Sequence, residues 1–213
     1  NTLILLVVGD NGASKEGTLF GTVKRSPAAA LQQEQSEAAA VKANLEDFDL
    51  IGTPEATNGN YPLGWAQAAN TPFKYWKQDA HSEGGTRNPL IVFYPKGITE
   101  KGGIRNQYGH VNDLLPTTLE FLHINAPAFI RGIKQDTIQG TSLVYSFSDK
   151  NAPARHTTQY YYIFGSRSIY KDGWKAGLAF KINDNKGGRL RNVSFPDPNH
   201  IEWQLFNLNE DFN

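Results

Sequence analysis

Two short stretches of the chain carry the residues best suited to chemistry. Gly9-Asp10-Asn11-Gly12 follows directly on the apolar run Leu3 to Val8. Asp10 offers a carboxylate and Asn11 an amide carbonyl, both hard oxygen donors of the kind that hold Ca²⁺ or Mg²⁺. Lys77 is flanked by bulky aromatics and followed by Glu83-Gly84-Gly85-Thr86-Arg87. A positive point charge near glycine-lightened backbone suits an oxyanion clamp. His81, between Lys77 and Glu83, reads as a hydrogen-bond donor to a substrate oxygen or as a proton carrier. Each stretch also has a plainer account. Asp-Asn-Gly between β-prone segments is a hairpin turn signal. Lys77 is equally readable as a solvated lysine beside a structural turn, and His81 as an exposed loop histidine.

The elements that must position these residues follow from patterning. Six consecutive apolar residues suit a strand covered on both faces, as in a parallel sheet with helices above and below. Ligand sites in such sheets form just past the carboxyl ends of the strands. Ala13 to Thr18 has no alternating apolar face, so a strand ending in a loop fits residues 10–12 better than a hairpin. Ala28 to Ile51 is rich in Ala, Gln and Glu, with Val41, Leu45 and Phe48 on one helical stripe. Gly52 and Pro54 end that helix. Residues 53–64 read as irregular loop, Trp65 to Ala69 as a short helix, and Asn70 to Lys77 as an aromatic, basic strand. Leu90 to Tyr94 is a second apolar strand. His110 to Leu122 reads as a helix with Val111, Leu114, Leu115, Leu119 and Leu122 on one side and Pro116 early, where a missing N–H is tolerable.

Strands alternating with helices argue for α/β layering. Near residue 140 the pattern changes to short aromatic-rich strands, at 158–164, 168–170, 174–180 and 203–208, with an Asp172-Gly173 hairpin signal. The expected organisation is an α/β domain over residues 1–140 and a small antiparallel β-rich subdomain over 141–213. His110, Asn112 and Asp113 cluster before the helix, and Asn112 or Asp113 as its N-cap is the simple account. His156 and His200 have no partner within reach of sequence reasoning and are read as surface residues.

Bulk composition narrows the function classes. The 21 Lys+Arg balance 21 Asp+Glu, so no electrostatic footprint for nucleic acid or an acidic membrane is visible. No apolar run reaches membrane-spanning length. With no cysteine, disulfides and thiolate chemistry are excluded. The chain lacks methionine and opens on a strand-like run, which suggests a piece of a longer protein.

Several of these motifs, in order, resemble those of type I sulfatases, and more specifically bacterial arylsulfatases. They are Asp10-Asn11-Gly12-Ala13-Ser14, Gly64-Trp65-Ala66, Asn70-Thr71-Pro72-Phe73, and Lys77 with Glu83-Gly84-Gly85-Thr86-Arg87-Asn88-Pro89. His110 to Leu122, Gln159-Tyr160, Gly165 to Ala176 and Trp203 to Leu208 extend the likeness over nearly the whole chain, as the C-terminal half of that family. The resemblance implies an alkaline-phosphatase-like α/β fold with a mixed sheet flanked by helices and a small antiparallel C-terminal subdomain. It implies a sulfuric ester hydrolase acting on a small-molecule sulfate ester. The nucleophile would be a hydrated formylglycine, matured from Cys or Ser in a C/S-x-P-x-R motif, beside one Ca²⁺ or Mg²⁺. Asp10 and Asn11 map onto metal ligands, Lys77 onto the lysine that contacts the sulfate, and His81 onto a loop histidine whose offset varies among relatives. This chain has no C/S-x-P-x-R motif, so these residues alone are expected to bind metal weakly and to leave sulfate esters intact. Two-metal phosphatases of the superfamily usually carry Asp-His where Asp10-Asn11 stands. A one-metal phosphonate or phosphate ester hydrolase, or a non-catalytic relative, stays open as an alternative.

Overall fold

The computed structural model describes residues 2–24, 36–178 and 202–212. In chain order its elements begin with β1 (Ile4–Val7), α1 (Glu37–Glu46), α2 (Leu63–Asn70), α3 (Glu83–Thr86) and β2 (Leu90–Phe93). They continue with α4 (Leu114–Leu122), β3 (Phe129–Ile130), β4 (Ile133–Lys134), α5 (Tyr145–Ser148), β5 (Thr158–Ile163), β6 (Ser166–Lys171), β7 (Trp174–Leu178) and β8 (Gln204–Asn207). This is the expected α/β class, with β5-β6-β7-β8 as a C-terminal sheet. Contacts divide the chain into two compact units. One comprises Asn1–Val8, Pro89–Gln159 and Tyr170–Asp172; the other comprises Gly9–Asn88, Tyr160–Ile169 and Gly173–Asn213.

In the first unit β1 pairs antiparallel with β2, Ile4 opposite Phe93 and Val7 opposite Leu90. The sequence predicts a doubly covered strand in a parallel sheet. Instead Ile4, Leu6, Ile91 and Phe93 are exposed. An apolar run specifies a strand but not its neighbours or their direction, and the two strands form a sheet of their own.

The predicted helix over 110–122 is a 3-10 turn, Val111–Asp113, that runs into α4. The predicted leucine stripe is only partly covered: Val111, Leu115 and Leu122 are exposed and Leu114 and Leu119 half-buried. Asp113 and Thr117, one turn apart, are the buried pair. The Asp113 carboxylate accepts from the backbone N–H of His110 at 2.8 Å and of Thr141 at 2.7 Å. Thr117 accepts from Leu143 N at 2.9 Å and donates to Asp113 O at 2.6 Å. His156 is not a surface residue: it is buried, with Nδ1 2.8 Å from Asp113 Oδ1 and Nε2 3.1 Å from Gln159 Oε1. Its partner lies 43 positions away, which no local pattern can reveal. His200 lies outside the described residues.

In the second unit the described part of the predicted helix over 28–51 is α1, capped by Ser36, followed by a 3-10 turn over Phe48–Leu50. Its stripe residues Val41, Leu45 and Phe48 are exposed, while Ala40 is buried and the Asn44 amide donates to Phe20 O and Gly21 O. Antiparallel β7 and β8 place Trp174 opposite Asn207. The Asp172-Gly173 signal is realised at the turn before β7, with φ of 48° and 88°. Positive φ at both central positions is what a type I′ hairpin turn requires.

Candidate active site

The three motif-bearing loops of the second unit, residues 10–14, 70–77 and 79–88, meet backbone against backbone. Gly12 N donates to Gly85 O at 3.4 Å, Lys77 N to Ala13 O at 3.0 Å, and Gly84 N to Lys74 O at 3.1 Å. Glycine is required at three of these crossings because no room exists for a side chain. A Cβ on Gly12 would overlap Gly84 O, one on Gly84 would overlap Lys74 O and Tyr75 O, and one on Gly85 would overlap Asp79 O. The Asn70 side chain ties the same crossing, accepting from Ala13 N and donating to Tyr75 O, both at 2.9 Å. This explains why Asn70 to Lys77 is not the predicted strand. Its backbone groups are spent on loops rather than on a ladder, and Tyr75 takes a left-handed φ of 66°.

Asp10 is exposed, and its carboxylate has no hydrogen-bond or ion-pair partner among the described residues. Asn11 is half-buried and more closely held. Its Nδ2 donates to Gly12 O at 2.8 Å, which leaves Oδ1 as the end available to a ligand. With its amide turned to satisfy both groups, Asn88 accepts from Asn11 N at 3.1 Å and donates to Asn11 O at 3.2 Å. The donor set suits a hard cation in kind, being one carboxylate and one carbonyl. It is incomplete in number, since Ca²⁺ takes roughly six to eight oxygens. No group of three or more His, Cys, Asp or Glu that could hold a metal ion occurs among the described residues.

Lys77 is partly buried, at 34% side-chain exposure, and its Nζ lies 3.2 Å from Glu16 Oε2. Glu16 also accepts from Gln78 Nε2 at 3.3 Å and from Ser14 Oγ at 3.1 Å. A half-exposed lysine held this loosely can exchange its carboxylate for an incoming anion at little cost. His81 is placed differently from an exposed loop histidine. It is 5% exposed, lies edge-on to Phe206, and has Gly177 against its ring; neither ring nitrogen has a hydrogen-bond partner among the described residues.

The loop that carries Lys77 and His81 is fastened to the C-terminal sheet by groups the sequence reading did not single out. Asp79 Oδ1 accepts from His81 N at 2.8 Å and from Ser166 Oγ at 2.9 Å, and Asp79 Oδ2 accepts from Ser82 Oγ at 2.7 Å. Ser166 Oγ accepts from Ala80 N, and Ser168 Oγ donates to Ala80 O at 2.6 Å. Lys175, buried in β7, donates to Glu83 Oε1 at 2.8 Å and Thr86 Oγ1 at 3.0 Å. The one signal for Lys175 in the sequence is a cation at an alternate position of an otherwise aromatic and small-residue strand.

The sulfatase family matches residues 1–124. No curated protein sequence is a significant match to this chain. A solved structure, BT4656 in complex with its substrate D-glucosamine-2-N,6-O-disulfate, is similar at 17% identity and a TM-score of 0.45. That similarity covers 82% of this chain and 32% of BT4656, so the chain spans about a third of the length of that protein. These findings correct the expectation of a likeness confined to the C-terminal half of the family and running the length of the chain. The sulfatase match occupies the first 124 residues, and the quoted motifs between 159 and 208 lie outside it. The physical reason is specificity. The Asp-Asn-Gly and Glu-Gly-Gly loops need unusual backbone crossings, whereas short aromatic strands joined by Asp-Gly turns occur in any small antiparallel sheet. On the match over residues 1–124, the chain belongs to the sulfatase family.

Proposed function

We propose that the second unit forms part of the active site of a sulfuric ester hydrolase of the arylsulfatase type, acting on a small-molecule sulfate ester. The observation that carries this reading is the interlock of Gly12 with Gly84 and Gly85, which joins the loop of Asp10 and Asn11 to the loop of Lys77. In this reading Asp10 and the Asn11 carbonyl hold a divalent cation, Ca²⁺ in preference to Mg²⁺. Lys77 leaves Glu16 for the sulfate and steadies the charge that develops on the leaving-group oxygen. His81, with both nitrogens uncommitted, donates a hydrogen bond to a substrate oxygen. Asn88 and Asn70 orient the backbone under these groups and touch no substrate.

On this reading a cation held by Asp10 and Asn11 would neutralise charge on the sulfuryl group, and the nucleophile would be the hydrated formylglycine that the family resemblance implies. The 213 residues contain no C/S-x-P-x-R motif, so on this reading they do not turn over a sulfate ester by themselves. A phosphonate or phosphate monoester hydrolase is the second reading, since it would use the same cation and lysine. The Asn at position 11 favours the one-metal sulfatase over a two-metal phosphatase.

The test is turnover of an aryl sulfate and an aryl phosphonate by the full-length protein that carries this chain, beside Lys77→Ala and Asp10→Ala. Faster sulfate release that both substitutions remove supports the proposal. Faster phosphonate cleavage moves the assignment to the second reading. No turnover of either substrate marks a non-catalytic relative.

A further inference from the structure

Lys175 is the most deeply buried cation among the described residues, at 2% exposure, and the proposed chemistry does not use it. Its Nζ is engaged on three sides: by Glu83 Oε1 at 2.8 Å, by Thr86 Oγ1 at 3.0 Å, and by the Tyr161 ring with its centroid at 5.3 Å. Glu83 and Thr86 are the first and last residues of α3. Lys175 therefore grips both ends of a single helical turn, and Gly84 and Gly85 lie between the two grips. Those glycines are the residues whose backbone presses on Lys74, Tyr75, Asp79 and Gly12.

We infer that Lys175 is a positioning residue for the site: by clamping α3 it fixes the backbone that presents Lys77 and Asn11. The catalytic consequence rests on the hydrolase reading above; the mechanical link does not. The physical case turns on what a buried ion pair does that an apolar pair does not. Replacing such a pair with well-packed apolar residues is often neutral or stabilising, so stability alone is a weak reason for it. An ammonium with two directed hydrogen bonds fixes distance and angle, whereas methyl groups slide over one another. Across the glycine crossings no side chain is present to absorb a shift, so movement of α3 passes directly into residues 12, 74 and 79.

The experiment compares the full-length protein with Lys175→Met, the double variant Lys175→Met/Glu83→Met, and Thr86→Val. Amide hydrogen exchange is followed at Lys77, bonded to Ala13 O, and at Gly84, bonded to Lys74 O. It is read together with Tm and with kcat and KM for an aryl sulfate. The expected result for Lys175→Met is roughly tenfold faster exchange at both amides. Its kcat falls roughly tenfold while KM moves less than about threefold. The double variant regains the wild-type Tm but keeps the fast exchange and low kcat, and Thr86→Val moves the same way by about two- to threefold. A double variant that regains the exchange rates and kcat as well as Tm overturns the inference, because the pair then contributes stability alone. So does a folded Lys175→Met with wild-type exchange. If Lys175→Met does not fold, the double variant and Thr86→Val decide. If the wild-type protein releases no sulfate, the hydrolase reading fails, and the exchange rates still decide whether Lys175 holds the loop.

Discussion

Each of the two units buries an ionisable side chain, and the two are satisfied in different ways. Asp113 in the first unit has its carboxylate filled by two backbone N–H groups and the His156 ring. Every partner lies within 43 positions of it, and the cluster ties together α4, the segment after Gly140 and the approach to β5. Lys175 in the second unit answers a carboxylate 92 positions away. Its partner sits on a glycine-packed turn whose neighbours include an exposed Asp10 and a partly exposed Lys77. The first centre holds a fold together. The second holds apart and in place groups that are themselves poorly satisfied, and poorly satisfied charge on a stiff backbone is what a binding site needs.

Substitutions can break or sharpen this contrast. The largest loss of stability is expected for Asp113→Ala, which orphans two half-buried N–H groups and the buried His156 ring. About 3–5 kcal/mol should disappear from the urea unfolding free energy. Gly84→Ala comes next, because its new Cβ meets carbonyl oxygens and not flexible side chains. About 1–3 kcal/mol of destabilisation is expected, and, unlike Asp113→Ala, it should impair binding of a Ca²⁺ probe even in the fraction that remains folded. Lys77→Ala inverts the pattern. Its ion pair with Glu16 is partly exposed on both sides, so less than about 1 kcal/mol of stability is at stake, yet aryl sulfate turnover by the full-length protein should vanish. A large fall in Tm for Lys77→Ala would erase the distinction between the two centres.

The smallest effect belongs to the surface of the first unit. Lys150 first, and Arg105 second, hold the Glu100 carboxyl below its ordinary value of 4.5. A depressed carboxylate adds stability that is present above the unfolded value and lost as pH falls through the folded one. Glu100→Gln should therefore remove a small, solvent-screened increment of thermal stability near neutral pH. The difference from the wild type should vanish as pH falls below about 4.5 and the wild-type carboxylate is protonated. A larger difference in acid than at pH 7 would show that the ion pairs of Glu100 are not what its carboxylate contributes.

What was legible in the sequence was mostly local. Asp172-Gly173 reads as a hairpin turn because the residue types set φ on their own, and the turn is there. The positions of α2, α4 and β2 follow from short-range patterning and end signals. The faces of the helices were less legible: the stripe of Val41, Leu45 and Phe48 is exposed, and the 3-10 turn and α4 bury Asp113 and Thr117. Period identifies a helix, but which side is covered depends on residues far away in the chain. The same holds for the site. Asp10, Asn11 and Lys77 stand out by residue type and neighbours; Asn70 and Asn88 appear only as motif residues and Lys175 not at all, because each acts on a backbone group or carboxylate supplied by a different loop. The burial of His156 is hidden from sequence reasoning for the same reason, its partner Asp113 lying 43 positions away.

The long span of the fasteners also sets an order of events for a chain being made. Ser166 meets Ala80 across 86 positions, Ser168 meets it across 88, and Lys175 meets Glu83 across 92. Closing such spans is entropically slow compared with forming α2 or the β6–β7 turn. A ribosome that has released residues 10–88 has exposed the motif residues and the ties of Asn70 and Asn88, but not Ser166, Ser168 or Lys175. The loop of Lys77 is therefore fastened to the C-terminal sheet only once β6 and β7 have emerged, about 90 residues after its own synthesis.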